Sequence, residues 1–320
     1  MNPNDFWAPW EETASSFDDV LRFVSKVHDI WITKRAKQFA WRGLVDASWA
    51  MHSSLYRRLM WTTPATLPDE AALQEEEEKI LVNVHRWGLH WAEGARLPVL
   101  HQLALLQHYG APTRLIDITF NAWVAVWFAV EQKWHNGDET NGDTDGRVFA
   151  VDVTNRIINE DEERRSWPDC NRRPWPRAPA KPKDPFYEWT TTTYAWKAPA
   201  FDRRIAAQNG GFLLGGVPSS QQGKGKRMFW PKDKTPKNHW PLDAVRRSTS
   251  VAVRAHAVSA VVGKVPDDAL FTLRIKASAK VDIRSRLRSL FGYEHATIYP
   301  DYSGFASFAT PELRTDPRAP

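Results

Sequence analysis

The sequence predicts an α+β fold with one main domain, a central mixed or antiparallel sheet flanked by helices. Three observations predict it. Apolar helical patterns interleave with short strand patterns without the regular alternation of βαβ units. No segment repeats. No shift in composition marks a boundary inside the long middle of the chain. A chain of 320 residues with 42% apolar and 25% charged residues can bury a sizeable core and reads as globular and soluble.

The ends and the charge narrow the class further. No run approaches the roughly 18 apolar residues of a membrane span, so no membrane association is expected. The start, MNPNDFWAPWEET, has neither a basic nor an apolar leader region, so secretion by a standard signal peptide is not expected. Cys170 stands alone and cannot pair internally, which fits a reducing, cytoplasmic setting. A net charge of +5 permits an anionic partner without demanding one. Seventeen tryptophans, spread from Trp7 to Trp240, supply buried area, with a minority left to line a pocket.

Taken in order, residues 1–40 form an N-terminal helical segment. Phe17, Val20, Leu21, Phe23, Val24 and Val27 recur at helical spacing over 16–40, behind a Ser15-Ser16 cap. The main domain covers 41–306. It opens on a short apolar strand, 38–43, that ends in Arg42 and Gly43. A charged amphipathic helix is expected over 69–94, with Leu73, Ile80, Leu81, Val84, Trp87 and Trp91 on one face and the run from Glu75 to Glu78 solvated. A buried helix follows, with Leu100, Leu103, Ala104 and Leu106, and stops at Tyr109-Gly110-Ala111-Pro112. Residues 115–119 read as a buried strand carrying Asp117. Asn121 then caps a second buried helix with Trp123, Val124, Trp127, Phe128 and Val130 inward.

Irregular insertions are expected near 136–146, 155–185 and 217–240. Between them lie a strand over 147–153 and a helix at 202 that yields through Gly210-Gly211 to a strand. Strands at 258–263 and 270–275 precede a basic helix over 279–291 with Val281, Ile283, Leu287 and Leu290 inward, and 307–320 is a loose tail. The 219–240 loop holds Gly223-Lys224-Gly225-Lys226-Arg227 without the spacing of a phosphate loop. Its cations could touch nucleic-acid phosphates, or be plain surface.

Two places concentrate chemistry. Arg42, beside a glycine at the end of a strand, suits bidentate capture of phosphate or carboxylate, or a structural pair with Asp117. His108, Tyr109, Thr113, Arg114 and Asp117 crowd a helix–turn–strand junction. A buried Arg114 would need an acid, and Asp117 is the nearest in sequence. His108 suits a base or a helix cap. No carboxylate cluster of metal-binding spacing appears, so no metal is expected and a nuclease is disfavoured.

Four segments carry a resemblance. Trp41-Arg42-Gly43 with the later Ser53-Ser54-Leu55-Tyr56-Arg57-Arg58, LLQHYGAPTRLIDITFNAWVAVWFA, RIAAQNGGF and ATIYPDYSGFA together resemble the FRG family, named for a Phe-Arg-Gly triplet. Tryptophan replaces the phenylalanine here, and Leu44 stands where glutamine is frequent; the arginine is kept. The resemblance spans about 41–306 and implies a bacterial or phage protein of a toxin or defence setting, with a cognate antitoxin or defence partner.

The order of elements also resembles the ADP-ribosyltransferases, whose aromatic-Arg-Gly strand holds the phosphates of NAD. Asp117-Ile118-Thr119 followed by Ala125-Val126-Trp127-Phe128-Ala129 is similar to their second strand and helix, and the segment from Arg204 through Leu214 stands where their catalytic glutamate would be. That resemblance implies Arg42, His108, Asp117 and Gln208 as catalytic residues, and Arg42, Gly43, Tyr109, Thr113, Arg114 and Thr119 as NAD-binding ones. Gln208 cannot carry the charge of a glutamate, so Asp117, Glu131, Glu188 or Glu294 would supply the acid. The rival reading is a non-catalytic nucleotide- or nucleic-acid-binding module.

Overall fold

The computed structural model describes residues 2–64, 66–92, 94–135, 138–158, 173, 175, 189–220, 229–233, 235, 238–259 and 269–309. The expected α+β class holds: a large mixed sheet is flanked by helices on both faces. Its strands are β1 (Glu12–Ala14), β2 (Phe39–Leu44), β3 (Ile116–Thr119), β4 (Gly146–Asp152), β5 (Ile157–Ile158), β6 (Thr193–Trp196), β7 (Gly210–Gly215), β8 (Arg254–Ala255) and β9 (Ala269–Ile275). They lie in the order β1-β9-β4-β2-β3-β7-β6-β5, with β8 also on β9. The β1–β9, β8–β9 and β6–β5 pairs are parallel and the rest antiparallel.

One pairing decides where the site lies. β2 runs along β4 through six register pairs, from Phe39 opposite Asp152 to Leu44 opposite Arg147. On its other side β2 meets β3 only where Trp41 faces Thr119. Beyond that point β3 stays with β7, Asp117 opposite Phe212 and Ile116 opposite Leu213. The sheet therefore divides into two wings hinged at a single pair.

Side chains alternate along the strands, as pleating requires. Trp41, Val148, Ala150, Phe271 and Leu273 face one layer, and Ala40, Leu44, Phe149, Val151 and Leu270 the other. The first layer is covered by α2 (Phe17–Lys26), α6 (Ala122–Val130) and α9 (Lys280–Phe291); the second takes α1 (Pro3–Trp7) and α8 (Leu242–Ser248). Gly43 and Gly146 let α6 lie directly on the sheet: a Cβ on either would stand 1.9 Å from the Ala125 carbonyl or 2.1 Å from that of Ala129. Caps define helix starts where expected. Ser16 accepts the amide of Asp19 ahead of α2, and Asn121 that of Trp123 ahead of α6.

Several expectations are corrected. The N-terminal segment is no separate helical piece: Phe6 and Trp7 are in the core and β1 joins the sheet. After α2 the chain continues as a π-helical stretch, Val27–Thr33. The charged helix, α4 (Glu70–Arg86), ends eight residues early because Gly88 takes a left-handed φ of 71°. Trp87 and Trp91 consequently leave its face and are exposed. Val281 and Leu290 of α9 are also exposed; Ile283 and Leu287, four apart, define its buried face. The 136–146 loop contains one arm of a small hairpin, Lys133–His135 with Asp138–Thr140.

Within the other insertions, β5 and Trp230 are buried. The Gly-Lys run, Cys170, residues 260–263 and the tail from 310 lie outside the described residues. Val258, expected in a strand, sits in a turn, and α11 (Tyr302–Phe308) occupies the start of the expected tail. No described helix is long and apolar enough to cross a membrane.

Candidate functional site

Where the wings part, a cavity of about 360 Å³ opens. Arg42 and Gly43 of β2, Asp117 and Thr119 of β3, His108 at the end of α5 (Val99–His108) and Gln208 after α7 (Arg203–Ala207) all line it. Four catalytic candidates thus share one hollow with two of the six binding candidates besides Arg42.

Arg42 is half-buried, and its Nη1 donates to the backbone carbonyl of Asp117 at 2.5 Å. That bond stands where the β2–β3 ladder has ceased. Its Nε is buried without a hydrogen-bond partner among the described residues. Burial pushes the guanidinium below its ordinary value, and Asp117 opposes the shift. Arg42 therefore brings to the cavity wall a guanidinium with one enclosed donor that no described residue answers.

The Asp117 carboxylate is exposed and oriented through a relay. Thr113 Oγ1 donates to Gln107 Oε1, and Gln107 Nε2 donates to Asp117 Oδ1 at 2.6 Å. Thr113 itself is fully buried, also receives the amide of Leu115, and does not reach the cavity. His108 Nε2 lies 3.6 Å from Asp202, which caps α7. Gln208 donates to the carbonyl of Ile298, and its own carbonyl receives the Thr119 hydroxyl at 2.6 Å. Tyr109 is 83% exposed and outside the cavity.

Arg114 is corrected more deeply. Its partner is not Asp117. Buried behind the sheet, it makes a two-pronged bond to Glu77, from Nε at 2.6 Å and Nη2 at 3.1 Å. Nη1 donates to Glu70 at 3.2 Å. Trp175 and Trp189 flank the guanidinium at 4.9 and 5.4 Å and donate to the same two carboxylates. Burial works against the charge, but Glu77 and Glu70 outweigh it and hold Arg114 above its ordinary value. Glu77, expected in a solvated run, is wholly buried. It falls four residues after Leu73 and seven before Val84, on the apolar stripe of α4, and that position was the available signal.

Beside Asp117, Glu131 also enters the cavity, another of the four candidate acids. It follows α6, with its carboxylate buried and held by the Tyr299 hydroxyl at 2.7 Å and by Lys133 Nζ at 3.2 Å. Burial, reinforced by Glu131, pushes the Tyr299 hydroxyl well above the usual phenol range, so it stays a donor. His295, lowered chiefly by burial, lies 3.9 Å from the same carboxylate. Glu294 lies away from the cavity and pairs with Arg288, and Glu188 is outside the described residues. Tyr299 and Arg204 went unassigned in the sequence, although both stand in its recognised motifs. Arg204 lines the cavity, lies 5.2 Å from the Tyr299 ring, and grips Asp301 through Nε and, at 2.7 Å, Nη2. The described residues include no group of three or more His, Cys, Asp or Glu able to hold a metal.

Residues 37–138 match the FRG domain family. The FRG match covers about a third of the chain. No curated protein and no solved structure matches the chain. The matched segment, 37–138, takes in β2 through α6 and brings Arg42, Gln107, His108, Asp117, Thr119 and Glu131. The remaining polar wall, Asp202, Arg204, Gln208 and Tyr299, comes from chain beyond it.

Proposed function

We propose that the cavity binds a phosphorylated nucleotide, with NAD as substrate, and that the chain is an ADP-ribosyltransferase-like effector of the toxin or defence setting implied by the FRG resemblance. The observation that carries this reading is the Arg42 guanidinium on the wall of a cavity that also holds the Glu131 carboxylate. A phosphate in the cavity would be held by the charge of this guanidinium. The volume sits at the lower end of the range for small-molecule sites, roughly 300–1,000 Å³.

Cleaving the bond between nicotinamide and ribose leaves positive charge on the sugar carbon, which a carboxylate stabilises. Glu131 is positioned for that task by Tyr299, where Gln208 could not perform it. Asp117, held by Gln107, is a second negative group in the same hollow. His108, beside Asp202, would orient the ligand or move a proton.

The test is nicotinamide release from NAD by purified protein, with cell extract supplying acceptors. Wild type is expected to release it, and Glu131→Gln to lower turnover on the order of a hundredfold or more. Arg42→Ala should abolish NAD binding, and Arg42→Lys should restore little because it lacks the fork. Wild-type protein that neither binds nor consumes NAD would overturn the reading. A second reading, a silent nucleotide-binding module, is favoured by the Lys133 ion pair that already offsets Glu131. It predicts saturable NAD binding that depends on Arg42, without nicotinamide release.

A further inference from the structure

Behind Tyr299 lies a second, larger hollow, a groove of about 1170 Å³ between the end of α9 and α11. Tyr299 lines both, and the Arg204–Asp301 pair places one member in each. The floor is aromatic: Phe308 stacks on His295 at 4.4 Å and on Tyr299 at 4.6 Å. At the rim, Tyr302 is 95% and Phe305 66% exposed. They are three residues apart on α11 and so share a face.

The groove's charge is positive. Its lining holds three guanidiniums, Arg203, Arg284 and Arg288, against two carboxylates, Glu294 and Asp301. Glu294 is answered by Arg288 at 3.3 Å, and from outside the lining Arg204 answers Asp301 and Glu139 lies 4.0 Å from Arg284, which leaves Arg203 as the surplus cation among the described lining residues. Exposed rings with surplus guanidinium charge match one ligand chemistry well: flat bases that stack, joined by phosphates. An acidic peptide would satisfy the arginines and leave Tyr302 and Phe305 without a planar partner.

We propose that this groove binds single-stranded nucleic acid, its bases lying on Tyr302 and Phe305 and its phosphates facing Arg203 and Arg288. The proposal goes beyond the NAD reading and stands without it. It places the strand at a wall shared with the cavity rather than on the 219–240 loop.

Fluorescence anisotropy with labelled oligothymidylate and oligouridylate of about twelve nucleotides, in the absence of NAD, tests it. Wild type should bind at least one of the two, and the pair decides between DNA and RNA. Affinity should fall with salt by about 0.7 log units per log unit for each phosphate engaged. Tyr302→Ala and Phe305→Ala should each weaken binding about tenfold. Arg203→Ala should weaken it and make the salt slope shallower by about 0.7. An abasic strand of equal length should bind poorly. The proposal is overturned by absence of binding at low salt, by undiminished binding in both aromatic variants, or by polyglutamate competing as well as the strand. These side chains are exposed, and an unchanged thermal midpoint verifies that each variant is folded. Because NAD is omitted, failure here leaves the cavity reading intact, and failure of NAD turnover leaves this one intact.

Discussion

Arg114 and Arg42 show how one residue type takes opposite roles within one fold. Arg114 is saturated by Glu77, Glu70 and the carbonyl of Gly215, between two indoles. Arg42 keeps one buried donor unanswered. Arg114→Leu is expected to strand two buried carboxylates and destabilise the fold by about 3–5 kcal/mol in urea unfolding. Arg42→Leu should move the same curve far less while removing the proposed nucleotide binding. A larger stability loss at Arg42 than at Arg114 would reverse these assignments. The arginine of the Thr-Arg-Leu motif was recognisable, but its partner was not. Nearness in sequence favoured Asp117, three residues on, whereas folding supplied Glu77 from 37 residues away.

At the level of elements, the cavity depends on the contact of α6 with β2. Gly43→Ala drives a methyl group into backbone, the Ala125 carbonyl and the Ala129 amide, which cannot swing aside. A loss of about 1–3 kcal/mol or more is expected by thermal or urea unfolding, with the proposed nucleotide binding weakened because β2 carries Arg42. A neutral outcome would mean that α6 can ride outward at no cost. Elements of this kind were legible: Asn121 before an apolar run announces α6, and Gly210-Gly211 announces β7. Their partners were less so. β1, three residues long, carries too little periodicity to be seen, and the end of α4 turned on the left-handed φ of Gly88.

For the whole molecule, acid stability follows from groups buried in particular charge states. His52 and His256 are pushed from 6.5 to about 4, chiefly by burial. Between about pH 6.5 and 4 the unfolded chain takes up protons that these two refuse in the fold, so stability falls as pH falls. Asp301 is held at about 2, against 3.8, by its bonds from Arg204. It stabilises above about pH 4, and that contribution is lost as pH drops toward 2. The urea midpoint is expected to decline in those two stages. A midpoint constant from pH 7 to 4.5 would contradict the histidine assignment.

By itself the sequence determined the FRG motifs, the element types around them, the capped helix starts and the strand that carries Arg42. These are local properties, set by periodicity, caps and turns within a few residues. Only the tertiary structure decided that the sheet parts beyond the Trp41–Thr119 pair, that Glu77 belongs to Arg114, and that Tyr299 meets Glu131 across 168 residues. Those outcomes depend on how buried charges find partners once layers pack, and no local pattern encodes contacts between residues so far apart in the chain.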